Sequence, residues 1–528
     1  MTGTRWGRAG IAALTAAVLA TAVLGPGTAV AGAGAPRARA VPAIPFDLNG
    51  DGYAELVIGV PGEAIGRISG AGAVNIIDGS AGGVTGVGNR MIHQGTPGVA
   101  GSNETGDHFG STVASADFDR DGFADLAVGA VGENRRGSST PSGAVTVLYG
   151  SAHGPKGLGD QFLRPQDLHL PDAWGDVLET GDLNGDGYAD LVVAGAGPAS
   201  AGHGGVTVLY GSSRGLTLLG AVHLTDALAG APGPPAARDR FGRAAAVGDV
   251  TGDGIDDLVV GTSRDERGGV YLFGGQHARL STTAAQFVGQ DSPDLVTPDV
   301  VYSSDGLGRA VAVGDFDGDG HGDVAVGDAD GEPQMFRGCQ EDGGCPGMVL
   351  VLPGSDAGMD AVRHQVLSQE PVGSAGGDEA LGSTLRAGDL DLDGHDDLVI
   401  SGSRAVLPNH QQAVDSVIAL YGTDSGLSGS GSQEWAADTL GIPGVSTPGD
   451  GFGDQLRISQ LGRSAAPELV ISVTGQDSGA TRHTGAVTVL YGSDDSGPVA
   501  TGSQQWAQGH RGVVGVPESG DRFGALGR

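Results

Sequence analysis

At 528 residues the chain exceeds the roughly 250–300 residues that one core usually supports, so it holds several domains or one architecture built by repetition. Its 100 glycines would indicate low complexity if they were unpatterned, but they recur at fixed offsets, which favours short strands and tight turns. A formal net charge of −34 at pH 7 argues against nucleic acid or an anionic membrane as partner and makes divalent cations the natural counterions.

The N-terminal residues read as a secretory signal peptide over 1–31: Arg5 and Arg8, an apolar stretch from Ala9 to Leu24, then Ala29-Val30-Ala31. The apolar stretch, about 16 residues, falls short of the roughly 20 that span a bilayer, and no later stretch is apolar enough to do so. Export to the extracellular space without a membrane span is the expectation. Residues 32–44 form a short Ala/Gly/Pro/Arg-rich linker, and residues 45–528 carry one repeated pattern.

The first copy of the pattern is Asp47, Asn49, Asp51, Tyr53 and Glu55, running into Leu56-Val57-Ile58-Gly59. The second is Asp117, Asp119, Asp121, Phe123 and Asp125, and the third Asp182, Asn184, Asp186, Tyr188 and Asp190. Then come Asp249, Thr251, Asp253, Ile255 and Asp257, followed by Asp315, Asp317, Asp319, His321 and Asp323. The sixth is Asp389, Asp391, Asp393, His395 and Asp397. Successive starts lie 70, 65, 67, 66 and 74 residues apart, the regularity of units that pack on one another. A seventh copy keeps its flanks but has Gln460, Gly462, Ser464 and Glu468 at the corresponding positions, so it is read as a strand that has lost its metal.

Calcium takes six to eight oxygens with tolerant geometry, which suits a turn offering carboxylates at alternate positions. Positions 1, 3, 5 and 9 of each loop are expected to point inward, position 7 to lend its backbone carbonyl, and the glycine at position 6 to permit the reversal. The six loops bring twenty-one carboxylates together, whose mutual repulsion a cation would relieve. An EF-hand shares the first half of the pattern, but it needs a carboxylate at position 12 and a following helix. Position 12 is Val128 in the second loop and Val193 in the third, inside β-branched runs, so these loops join strands.

An aromatic residue or Leu followed by Gly stands eight residues ahead of the loops, at Phe109-Gly110, Trp174-Gly175, Phe241-Gly242, Leu307-Gly308 and Leu381-Gly382. A third strand such as 143–150 follows each loop strand. Four strands per unit of 65–70 residues suit a propeller blade. The first repeat lacks its aromatic-Gly strand and Phe523-Gly524 lacks a loop, so the two ends together make one complete blade and close a ring of seven. Cys339 and Cys345, six apart in a Gly-rich insertion, are expected to form a local disulfide in an oxidising compartment.

The aromatic-Gly pairs, the Asp-rich loops and Gly59-Val60-Pro61-Gly62 resemble FG-GAP repeats, the blades of the seven-bladed propeller at the N-terminus of integrin α chains and in bacterial secreted proteins. The resemblance implies an all-β propeller whose loops bind calcium on one face, at about six sites here. Inserted adhesion domains and a membrane stalk are not part of the pattern, so a receptor of that kind is not implied. The hydrolase-like string Gly211-Ser212-Ser213-Arg214-Gly215 has repeat equivalents at 150–154 and 422–426 and reads as a turn. With no other catalytic constellation, the expected function is a monomeric extracellular module that binds a protein or glycan. The alternative is a lipid- or glycan-directed hydrolase, or the substrate-binding propeller of one.

Overall fold

The structure, a computed structural model, describes residues 42–134, 141–155, 160–170, 174–195, 204–227, 239–263, 268–282, 286–290, 292–295, 306–328, 347–368, 381–404, 414–494 and 496–527. The signal-peptide and disulfide expectations, on 1–31 and on Cys339 and Cys345, lie outside these residues, as does most of the Gly-rich insertion around the cysteines. The described residues form seven antiparallel sheets and a single 3-10 turn at Pro165–Leu168. The protein is a seven-bladed β-propeller, as the repeat spacing indicates.

Each blade is a meander. In the second blade the strands run Phe109–Ala116, Asp125–Ala130, Ala144–Leu148 and Gln161–Leu163 in that spatial order, from the centre outward. The other four-stranded blades begin with inner strands Val177–Gly181, Ala244–Gly248, Ala310–Gly314, Leu385–Gly388 and Phe452–Ser459, which succeed one another around the ring. Second strands are buried from end to end, as in Leu56–Val60, Asp125–Ala130 and Glu468–Val473. Both of their faces are covered by neighbouring blades, which is why they read as unbroken apolar runs rather than alternating ones.

Blade-to-blade packing is close enough to require glycine. The aromatic-Gly glycines adopt φ between 84° and 97° at Gly110, Gly175, Gly242, Gly308, Gly382 and Gly453. A Cβ on Gly261 of the fourth blade would lie 2.0 Å from the Gly308 carbonyl oxygen, and one on Gly327 2.1 Å from that of Gly382. The glycine that recurs in the second strand of four blades, at Gly59, Gly129, Gly261 and Gly327, is thus the contact point for the next blade.

The first sheet has three strands, Leu56–Val60, Ala73–Ile77 and Arg90–Ile92. Its innermost place is taken by residues 523–526: the Gly59 N–H donates to the Ala525 carbonyl at 2.6 Å and the Ala525 N–H returns to Gly59 at 3.2 Å. On the other side, the Leu526 N–H donates to Gln455 Oε1 at 2.8 Å and Arg457 Nη1 to the Leu526 carbonyl at 3.1 Å. Phe523, Leu526 and Trp506 join Leu56, Ile58 and Phe109 in one core. Full burial of an aromatic of this size is worth about 1.5–3 kcal/mol, so closure is held by packing as well as by hydrogen bonds.

Candidate metal centres

Five of the six Asp-rich loops connect an inner strand to the second strand of its blade, and the first leads into Leu56–Val60, whose inner partner is residues 523–526, so all six gather at one rim of the propeller. They touch one another around the ring. The Ala124 N–H of the second loop donates to the Asp47 carbonyl of the first at 3.0 Å, Gly322 to Asp249 at 2.7 Å and Asp396 to Asp315 at 2.9 Å. Ala54 closes the series on Gln460 of the seventh copy at 2.8 Å.

In four loops, three carboxylates present oxygens within 4.8 Å of one another: Asp47, Asp51 and Glu55; Asp117, Asp119 and Asp125; Asp315, Asp317 and Asp319; Asp389, Asp391 and Asp397. The choice of positions varies. Position 5 joins the first and fifth loops but not the second or sixth, although Asp51, Asp121, Asp319 and Asp393 all accept the N–H two residues on, from Tyr53, Phe123, His321 and His395. Among the described residues the third and fourth loops form no such group. There Asn184 Nδ2 donates to Asp186 at 3.2 Å, and the Thr251 N–H to Asp257 at 2.9 Å.

Position 1 is the hub of each turn. Asp47 accepts the N–H of Gly50, Asp51 and Gly52 at 2.7, 3.1 and 2.9 Å, and Asp117 accepts those of Asp121 and Gly122. Hard oxygen donors, a few ångströms apart and preset by backbone amides, fit a calcium-sized cation. One oxygen in the sixth loop, Asp389 Oδ1, is buried with no hydrogen-bond donor, as a ligand atom facing an ion would be.

Position 9 has a second task. Asp125 accepts the Phe118 N–H and, across the blade, the Gly150 N–H, both at 2.9 Å. Asp190, Asp323 and Asp397 repeat both bonds to Leu183 and Gly211, Phe316 and Gly354, Leu390 and Gly422. The same carboxylate therefore buckles the loop to the turn after the third strand. Burial pushes Glu55, Asp125 and Asp190 up to about 8 and Asp323 and Asp397 up to about 7, with backbone N–H donors pulling down and neighbouring loop carboxylates pushing up. Carboxyls so placed call for a proton or a cation at neutral pH.

Position 4 was invisible as a motif because its residue varies. It takes a left-handed conformation in all six loops: Gly50 at 72°, Arg120 at 56°, Gly185 at 65°, Gly252 at 68°, Gly318 at 71° and Leu392 at 63°. The position-7 side chain of the following loop lies over it. Phe123 covers Gly50, Ile255 covers Gly185, His321 covers Gly252 and His395 covers Gly318. Phe123, Ile255, His321 and His395 thus space the loops from one another, and Tyr53 lies against Gly462 of the seventh copy. In the second loop Arg120 takes the glycine's place and donates to the Gly187 carbonyl at 2.6 Å. His321 and His395 also contact Asp319 and Asp356, and Asp393 and Asp424, at 3.0–3.2 Å.

The string at 211–215 is a turn: Ser212 Oγ donates to the Gly215 carbonyl at 2.7 Å, as Ser151 does to Gly154, Ser355 to Gly358 and Thr423 to Gly426.

The FG-GAP repeat is matched at residues 43–76, 109–148 and 241–273, so the chain carries FG-GAP repeats. Phosphatidylinositol-glycan-specific phospholipase D of Bos taurus is 37% identical over 151 residues, 28% of this chain and 17% of that protein. Integrin alpha-IIb of Homo sapiens is 28% identical over 340 residues, 61% of this chain and 28% of the integrin. Integrin alpha-PS5 of Drosophila melanogaster is 34% identical over 190 residues, 35% of this chain and 17% of that protein. The chain spans less than a third of the length of each of these relatives.

Proposed function

We propose that this propeller is an exported, monomeric, calcium-loaded module that binds an extracellular protein or glycan and performs no chemistry of its own. The observation that carries the calcium reading is the carboxylate triad recurring in four loops. The residues that would hold the ion are the side chains at positions 1, 3, 5 and 9 with the carbonyl at position 7, and the donorless Asp389 Oδ1 suits the same role. Bound there, calcium would neutralise the clustered charge and lock the ring of loops. The integrin relatives support an adhesion-type role for such a scaffold, with the ligand on surfaces that differ from blade to blade.

The phospholipase D relatives keep a second reading open, a propeller that serves lipid or glycan hydrolysis. The two separate experimentally. The secreted chain, immobilised, is screened against matrix proteins and glycans in calcium and in chelator, beside phosphodiester and ester substrates. Calcium-dependent retention without turnover is expected; turnover abolished by a single substitution would favour the enzyme.

A further inference from the structure

The opposite rim of the propeller holds a second, smaller set of acidic groups, at the seams between blades. Three residues meet at each of two seams: a Gln at the end of one blade's outer strand, the Asp two residues before the next aromatic-Gly pair, and a Glu in the turn after that blade's second strand. At the ring-closing seam they are Gln508, Asp521 and Glu63; at the next seam they are Gln94, Asp107 and Glu133. Gln508 Nε2 donates to Glu63 at 2.5 Å, and Gln94 Nε2 to Glu133 at 3.1 Å. Backbone bonds tie each Asp to its Glu turn, Gly62 donating to the Asp521 carbonyl at 3.1 Å and Gly132 to that of Asp107 at 3.0 Å.

What remains at each seam is a surplus of acceptors. Asp521 Oδ1 and Gln508 Oε1 are buried without a donor, and so are Asp107 Oδ1 and Gln94 Oε1. These are deeply enclosed side chains: Asp521 and Asp107 are 0% exposed, Gln94 1% and Gln508 4%. The other Asp oxygen is taken in each case, by the Glu518 N–H and the Glu104 N–H. Among the described residues no arginine or histidine pairs with Glu63, Glu518 or Asp521. Two unpartnered oxygens per seam, repeated at equivalent places, carry a desolvation cost that a group filling the gap would remove.

A third seam is built from other residues: Ala437 stands at the end of the sixth blade's outer strand where the two seams above have Gln. At the seventh blade Gln476 stands where the Glu would be, its Oε1 accepts Gln505 Nε2 at 2.9 Å, and Asp450 receives the Thr447 N–H at 2.9 Å. Neither residue is left with a buried donorless oxygen. With Gln476 in place of the Glu, Ala437 in place of the Gln, and Asp450 only half-buried, that seam has no surplus of enclosed acceptors.

We propose that the two seams bind calcium, held by Glu63, Asp521 and Gln508 at ring closure and by Glu133, Asp107 and Gln94 between the first two blades. Carboxylate and amide oxygens are the hard donors calcium takes, with water completing the shell. Burial, opposed by the Gln508 hydrogen bond and reinforced by Asp521 and Glu518, pushes the Glu63 carboxyl up to about 7, which a cation would reverse. An ion at the closing seam would join residues 445 apart in the chain and pin the first blade to the last.

Crystals of the secreted full chain grown in calcium, with anomalous maps, read the loops and the seams separately, so the seam claim stands or falls apart from the loop claim. Peaks ligated by Asp521 and Asp107 are expected; a water or an empty, protonated pair at both seams would overturn the proposal. Equilibrium dialysis with radioactive calcium gives the second readout: Glu63→Gln and Glu133→Gln should each lose about one ion per chain, while an unchanged count sinks the idea. Should either variant fail to fold, the wild-type maps decide.

Discussion

The second loop and the seventh copy occupy the same place in their blades and solve it differently. In the second loop Asp117, Asp119 and Asp125 crowd their oxygens together and leave like charge to be neutralised. The seventh copy has Gln460, Gly462 and Ser464 there and ties itself with protein groups. Gln460 Nε2 donates to the Ser464 carbonyl at 2.8 Å, and Ser464 Oγ reaches the Gly492 carbonyl at 3.0 Å. Arg463, 3.3 Å above the Tyr491 ring, donates to Gly82 and Gly502. Yet Glu468 keeps the position-9 bond, accepting the Leu461 N–H at 2.7 Å. Position 9 therefore serves the blade also where positions 1, 3 and 5 offer no carboxylates.

The sharpest way to break that contrast is to remove the cation. Chelator should lower the thermal midpoint by on the order of 10 °C, read by circular dichroism, because several sites each lose their linkage term. An unchanged midpoint would mean that all seven copies are stabilised as the seventh is. Next in size, Asp125→Ala should cost about 2–4 kcal/mol even in chelator, since two buried N–H groups lose their acceptor, and more in calcium, where a ligand is lost as well. Asp119→Ala should cost stability only in calcium. Denaturant titrations of both variants in both buffers check the split, and equal behaviour would dissolve the distinction between buckle and ligand.

The seventh copy offers a pH test free of metal. Burial, opposed by backbone N–H donors, raises the Glu468 carboxyl to about 7 against 4.5 for the ordinary group. A raised acid favours the folded state while protonated, so its contribution is complete below about 4.5 and is lost as the pH climbs through about 7. Relative to Glu468→Gln, the native chain in chelator should lose on the order of 2 kcal/mol between pH 5 and 8. A smaller effect belongs to Leu392, which sits at φ 63° where four other loops have glycine. Leu392→Gly should raise stability by about 0.5 kcal/mol, the left-handed strain relieved being partly offset by glycine's entropy.

Much of this molecule is readable in one dimension because every blade but the ring-closing one is built from strands within about seventy residues of one another. The loop frame, the apolar run after it and the aromatic-Gly pair before it repeat in phase, and the structure turns each into a turn, a buried strand and a bulged inner strand. Glycine at position 6 was legible through its constancy, and its φ values of 83–95° explain that constancy. Position 4 was not, because Arg120 and Leu392 stand there in two loops and the conformation, not the residue, is what repeats.

The sequence by itself therefore determined the repeat, the number of blades and the residues offered at each loop, since these depend on local turn chemistry and strand patterning. Tertiary structure decided which three carboxylates of a loop converge, Asp51 and Asp319 joining theirs while Asp121 and Asp393 do not. It decided that position 7 of one loop spaces it from the next, and that residues 523–526 complete the first blade. The closing seam exists only once the ring closes, because Glu63 and Gln508 come within hydrogen-bonding distance only when the last blade docks on the first.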